Sequence, residues 1–340
     1  MKQFAIIGCG AISRIHAKAI QSLDNGNLYG VYDTRRENAE NFAAEYKGCK
    51  VFSTLDELFS CKEIDVVNIC VPSGLHAELA IKAAQAGKHV IVEKPMAITK
   101  EQLDSIISVT QEHNTKVAVI TQLRFTPAFQ KVKSAIDSGK LGRILLADFR
   151  GKYYRAPEYY SSCDWRGTWG IDGGGALMNQ GIHGIDLIQY LMGGVKSVYA
   201  LCRTQDRNIE TEDSAYLIVE YKNGAIGSMH GTTVAKPGYP RVLEITGTKG
   251  TIKIEEDEIM AWDIDGEDCE KVETKHASFN AGCEPLAFTF EYHKMQFADL
   301  LEAIEQDKKP MVDVHEGRKP VDIILAAYES SKTGKRIDLE

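Results

Sequence analysis

With 340 residues, 44% of them hydrophobic and 26% charged, the chain is long enough for two domains with substantial buried cores. Its formal net charge of -8 comes from acidic and basic residues mixed along the sequence, so no basic stripe is offered to nucleic acid, and no apolar run reaches the length of a membrane span. The eight cysteines form no C-x-x-C pair and no histidine cluster at zinc spacing, which reads as free thiols, no metal site and a cytoplasmic protein.

Short apolar runs at Phe4 to Ile7, Leu28 to Tyr32, Val66 to Val71 and Val90 to Val92 read as buried strands, with helices between them at Ala11 to Gln21, Arg36 to Tyr46 and Leu75 to Ala86. This alternation is the mark of a parallel sheet wound on both faces by helices. Thr99 with Gln102 makes a capping box that opens a helix to Glu112, and Lys116 to Ile120 adds a strand. The spacing therefore predicts an α/β fold whose N-terminal domain, residues 1–121, is a doubly wound Rossmann sheet.

After Pro127 the rhythm changes. A helix ends near Ser138, Ile144 to Arg150 reads as a strand, an aromatic loop runs from Tyr153 to Trp169, and a helix spans Ala176 to Met192. Six strands then follow without intervening helices: Ser197 to Arg203, Ser214 to Tyr221, Ala225 to Thr233, Arg241 to Gly247, Thr251 to Glu255 and Glu258 to Asp263. Such a run predicts a large, mostly antiparallel open sheet in a C-terminal α+β domain, residues 122–340, for substrate binding and oligomerisation. Phe288 to Gln306 and His315 to Lys332 close the chain as helices, the C-terminal one packing back on the first domain.

Directly after the first strand stands Gly8-Cys9-Gly10-Ala11-Ile12-Ser13, opening a helix. The glycines permit a tight turn and close backbone approach, and the helix N-terminus offers unpaired N–H groups to a pyrophosphate. The third fingerprint position holds Ser13 in place of Gly or Ala. The second strand ends at Asp33, where a carboxylate accepts hydrogen bonds from ribose hydroxyls. Gly8, Gly10, Ala11, Ile12, Asp33, Thr34 and Arg35 are thus the candidate binders of NAD; Arg35 and Arg36 would attract a 2′-phosphate, which keeps NADP as a second cofactor. Pro72 and His76, at the carboxyl edge of the sheet, are placed at the nicotinamide end, and Glu93 and Lys94 at the end of the next strand complete the set.

Glu93-Lys94-Pro95 puts two charges at the end of an apolar strand, where burial is costly without a chemical purpose. Further on, Asn179, His183 and Asp186 fall at i, i+4 and i+7 after a Gly173-Gly174-Gly175 run, so one helix would align them on a face. A Rossmann half ending in Glu-Lys-Pro, followed by an open-sheet half entered through a Gly-rich helix bearing histidine, resembles the Gfo/Idh/MocA oxidoreductases over essentially the full length.

The resemblance implies hydride transfer to or from a secondary alcohol or ketone of a sugar, a cyclic polyol or a nucleotide sugar. By that resemblance Lys94 and His183 are the catalytic pair: His183 takes the hydroxyl proton and Lys94 stabilises negative charge on the oxygen. Gln122, Arg124, Tyr154, Arg166 and Asn179 join them as candidate substrate contacts. Many members have aspartate where this chain has Asn179, and the asparagine resembles branches acting on N-acetylated or uronic nucleotide sugars. Relatives assemble as homodimers or homotetramers through the open sheet. Two other readings stay open: a glycoside-cleaving enzyme that retains its NAD, and a non-catalytic NAD-binding sensor.

Overall fold

The computed structural model describes residues 1–267 and 289–339. The chain begins with β1 (Lys2–Ile7), α1 (Ala11–Gln21), β2 (Gly26–Tyr32), α2 (Arg36–Ala44), β3 (Lys50–Val51), α3 (Leu55–Ser60), β4 (Val66–Ile69), α4 (His76–Gln85), β5 (His89–Val92), α5 (Lys100–Glu112) and β6 (Val117–Val119). All six strands are parallel, in the order β3-β2-β1-β4-β5-β6. Helix starts are set by local chemistry. At α5, for example, Thr99 Oγ1 accepts from the Gln102 amide at 3.3 Å while Gln102 Oε1 accepts from the Ile98 amide at 3.1 Å, the side chains at the two ends of the box each taking up a free donor. The short elements β3 and α3, two and six residues, carry too few positions for a periodic signal.

There follow α6 (Pro127–Asp137), β7 (Ile144–Lys152), α7 (Pro157–Ser161), a π-helix (Ala176–Gly181), α8 (Ile182–Met192), β8 (Val195–Arg203), β9 (Ser214–Tyr221), β10 (Ile226–Thr232), β11 (Val242–Gly247), β12 (Gly250–Glu255), β13 (Glu258–Ile264), α9 (Glu291–Glu305), α10 (Val314–Thr333) and β14 (Ile337–Asp338). The eight strands among these form one sheet, β13-β12-β11-β7-β10-β9-β8-β14, parallel only between β7 and β10. Alternation along β9 buries Ala215, Leu217, Val219 and Tyr221 on one face and leaves Tyr216 and Ile218 on the other.

The chain divides into two compact units: residues 1–122 with 289–318, and residues 123–267 with 319–339. The expected second domain, 122–340, thus yields α9 and the start of α10 to the first unit. The reason is specific packing. Phe297 of α9 stacks on Phe4 of β1 with ring centroids 6.4 Å apart, and Gln296 accepts from the Thr121 amide at 3.2 Å while donating to the Val119 carbonyl at 2.7 Å. Gln296 thereby continues the hydrogen bonding of the edge strand β6. Phe288, the expected first residue of α9, lies outside the described residues, as do Cys269 and Cys283. The other six cysteines are free thiols.

Candidate active site

In the first unit the strand order reverses between β1 and β4, which opens a crevice at the carboxyl ends of the strands. Gly8 leaves β1 with φ +93°, and a Cβ there would collide with the Cys70 carbonyl, so glycine is required. Gly10, in contrast, faces open space at the N-terminus of α1, where no side chain caps the helix. Ser13 takes the place of the small third fingerprint residue with its polar atom satisfied: it is buried, and its hydroxyl donates to the Gly10 carbonyl at 2.6 Å.

The Asp33 carboxylate is held by the Cys9 amide at 2.9 Å and the Arg35 amide at 2.8 Å, beside the glycine turn. Burial, and then the Asp33 charge, push the Cys9 thiol up to about 12, so the turn carries no thiolate to repel a phosphate. Uncapped helix amides, an open glycine and an anchored carboxylate fit a dinucleotide, which Gly8 to Ile12 would hold at the pyrophosphate and Asp33 at the ribose.

The Glu93–Lys94–Pro95 turn follows β5. Glu93 is buried, and both of its oxygens are taken: Oε1 lies 3.0 Å from His16 Nε2 and Oε2 accepts from the Lys94 amide at 3.2 Å. Burial opposes the charge, but the hydrogen bond from His16 and the nearby Lys94 charge hold the carboxyl below the usual range. His76 is buried as well, its ring nitrogens 2.6 Å from the Pro95 carbonyl and 2.8 Å from the Val71 carbonyl. Both residues were expected at the cofactor. Their polar atoms are instead committed to shaping the turns that follow β4 and β5.

In the second unit the predicted single helix over 176–192 is a π-helix followed by α8. Asn179 therefore stands in the π-helix, and His183 and Asp186 in α8. Asp186 is engaged elsewhere, receiving Arg124 Nε at 2.8 Å and Nη2 at 2.6 Å in a buried bidentate pair. Arg124 is fully buried, with Tyr190 stacked 4.3 Å from its guanidinium, so it is a structural cation and not a substrate contact. Gln122, in the first unit, is buried with its Oε1 lacking a hydrogen-bond partner among the described residues.

Asn179 and His183 are half-exposed. The Asn179 amide donates to Asp172 Oδ1 at 2.8 Å and accepts from Gln180 Nε2 at 2.9 Å. Around them Arg155 donates to Gln180 Oε1 at 2.7 Å, and Arg166 lies 4.4 Å over the Tyr159 ring with a buried Nε that no described group receives. Arg207 and Lys236 stand 5.4 Å and 5.9 Å over Tyr154. The sequence reading missed Asp172, Gln180, Tyr159 and Glu212. Glu212 anchors the start of the π-helix, accepting from the Gly175 amide at 3.0 Å, the Leu177 amide at 2.8 Å and the Tyr328 hydroxyl at 3.0 Å. A glutamate shortly before a strand gives no such signal in sequence; only the Gly173-Gly174-Gly175 run hints that something approaches the backbone closely.

Comparison with known proteins agrees with this geometry. Residues 2–121 match the family described as "Oxidoreductase family, NAD-binding Rossmann fold", and residues 129–253 match "GFO/IDH/MocA C-terminal domain". The WlbA dehydrogenase from Bordetella pertussis, solved in complex with NADH and UDP-GlcNAcA, is 32% identical with a TM-score of 0.89, covering 100% of this chain and 99% of that one. Inositol 2-dehydrogenase of Rhizobium meliloti is 30% identical over 74% of this chain and 75% of its own length. Myo-inositol 2-dehydrogenase of Thermotoga maritima is 24% identical over 99% of this chain and 98% of its own. With a dinucleotide cradle on a 3-2-1-4-5-6 sheet and matches in both domains, the chain belongs to the GFO/IDH/MocA family of NAD-binding oxidoreductases.

Proposed function

We propose that this NAD-dependent oxidoreductase acts on a secondary alcohol of an anionic, nucleotide-linked sugar, with Lys94 and His183 as catalytic residues. The observation that carries the substrate class is the placing of Arg166 over Tyr159 and Trp165 and of Lys236 over Tyr154 in the second unit. Guanidinium forks match carboxylate and phosphate, and aromatic faces match a sugar ring or base. The likeness to WlbA, solved with UDP-GlcNAcA, supports the same class.

When bound, the dinucleotide supplies the hydride acceptor for oxidation or the donor for reduction. His183 takes the proton from the substrate hydroxyl as the C–H bond breaks, and the Lys94 ammonium stabilises the charge growing on that oxygen. Reduction runs the same transfers backwards. Asn179, its amide oriented by Asp172, holds a hydroxyl without exchanging protons. Asp33 favours NAD over NADP by repelling a 2′-phosphate. We place the protein in the cytoplasm, as its free thiols suggest, and no described helix is long and apolar enough to cross a membrane. Its open sheet would pair with a second copy.

Absorbance at 340 nm on adding NAD with UDP-GlcNAcA, myo-inositol or free aldoses tests the assignment. Growth with UDP-GlcNAcA supports it; growth with myo-inositol alone moves the substrate to the cyclic polyols. Lys94→Ala should lower turnover about 100-fold or more while NAD binding persists. Near-normal turnover would remove Lys94 from the mechanism.

A further inference from the structure

We propose that His16 and Glu93 are positioning residues for Lys94, joining the helix that carries the dinucleotide turn to the turn that carries the lysine. The proposal rests on the reading of Lys94 as catalytic. Its basis is a hydrogen-bonded chain whose direction is set by the Asn68 amide nitrogen facing the His16 ring. Asn68 Nδ2 lies 3.0 Å from His16 Nδ1, and an amide nitrogen can only donate. His16 Nδ1 is therefore an acceptor, its proton sits on Nε2, and Nε2 donates to Glu93 Oε1 at 3.0 Å. Glu93 Oε2 remains to accept from the Lys94 amide at 3.2 Å. β4, α1 and the end of β5 are thus linked to the backbone of Lys94 through three bonds.

Burial gives the chain its stiffness. Asn68 and His16 have no exposed surface and Glu93 very little, so water does not replace a lost link. The His16 ring is wedged by Phe297, with centroids 5.2 Å apart and planes steeply inclined, and by His293 at 5.5 Å. A buried carboxylate is a costly way to end a strand if packing alone were needed. Here one oxygen reads the ring on the cofactor helix and the other sets the peptide of the lysine. His16 stands on α1, whose uncapped first turn would hold the pyrophosphate, so the proposed cofactor turn and Lys94 are tied to one rigid element.

His16, Glu93 and His293 also bring ligand-type atoms within 4.8 Å of one another, but both His16 nitrogens are already engaged, and a metal would have to displace the Nε2 proton.

Glu93→Gln keeps the shape and offers one acceptor to two donors. With NAD and UDP-GlcNAcA, kcat should fall about 30- to 100-fold while KM and the NADH Kd change less than about threefold, and Glu93→Asp should recover about tenfold of the loss. Because Glu93 acts through Lys94, the Glu93→Gln/Lys94→Ala double variant should be no slower than Lys94→Ala alone. Nitrogen-15 NMR of labelled histidine gives a readout without turnover: the His16 signals should be those of the neutral Nε2–H tautomer and should move in Glu93→Gln. Losses that multiply in the double variant, a fall in NADH affinity as large as that in kcat, or an Nδ1–H or doubly protonated His16 would overturn the proposal. So would zinc raising the melting temperature of the wild type but not of His293→Phe. Full turnover by Lys94→Ala would instead remove the catalytic role of Lys94, with the NMR still deciding the relay.

Discussion

Asn179 shows how one side chain changes the proton inventory of a site. Its amide nitrogen rests on the Asp172 carboxylate at 2.8 Å, an arrangement that suits an amide and penalises an acid. Asn179→Asp would set two carboxylates within hydrogen-bonding distance, and like charges that close keep one of them protonated toward neutral pH. The variant should therefore lose about 1–3 kcal/mol of stability relative to wild type as pH rises from about 5 to 8. Urea unfolding at both pH values measures this, and equal slopes in the two proteins would show that the pair is relieved by solvent. The departure at position 179 was legible in the sequence. Its partner was not, because Asp172 reaches it only through the turn that closes between Thr168 and Gly173.

The π-helix that presents Asn179 and leads into His183 depends on Glu212. Gly174 and Gly175 have no Cβ because Tyr328 and the Glu212 backbone occupy that space. Burial pushes the Glu212 carboxyl up to about 7, against the Leu177, Gly175 and Tyr328 bonds that favour its charge. A folded pKa above the ordinary 4.5 means that this stability is present in acid and is lost as pH rises from about 4.5 through about 7, a difference of about 3 kcal/mol. Glu212→Gln should start less stable at pH 5, since its amide group must face one of the N–H donors, and should lack this decline. A wild type equally stable at pH 5 and pH 8 would rule the mechanism out. The helix itself was legible from its apolar residues. The π-turn was not, since the Glu212 carboxylate that accepts from the Gly175 and Leu177 amides at its start lies far away in the chain.

For the whole molecule, the bare face of the second sheet matters most. Leu146, Tyr199, Leu201, Tyr216, Ile218 and Ile226 lie on it, with Tyr216 57%, Ile218 67% and Ile226 56% exposed. A contiguous apolar surface of this kind is typical of an interface. Light scattering of the purified protein should give a multiple of the single-chain mass, and Ile218→Arg should shift it toward one chain; a wild-type monomer would leave the face unexplained. The amino-acid sequence by itself determined the two domain types through local periodicity, and it pointed to the Gly8–Ile12 turn and Asp33 through a short motif and to Lys94 and His183 through the family resemblance. Tertiary structure alone decided that α9 completes the first unit, that Arg124 belongs to Asp186, and that the polar atoms of Glu93 and His76 meet protein groups. These are pairings between residues far apart in the chain. A charged side chain reads the same in sequence whether its partner is a substrate or a buried neighbour, and only packing removes the water that would have served it otherwise.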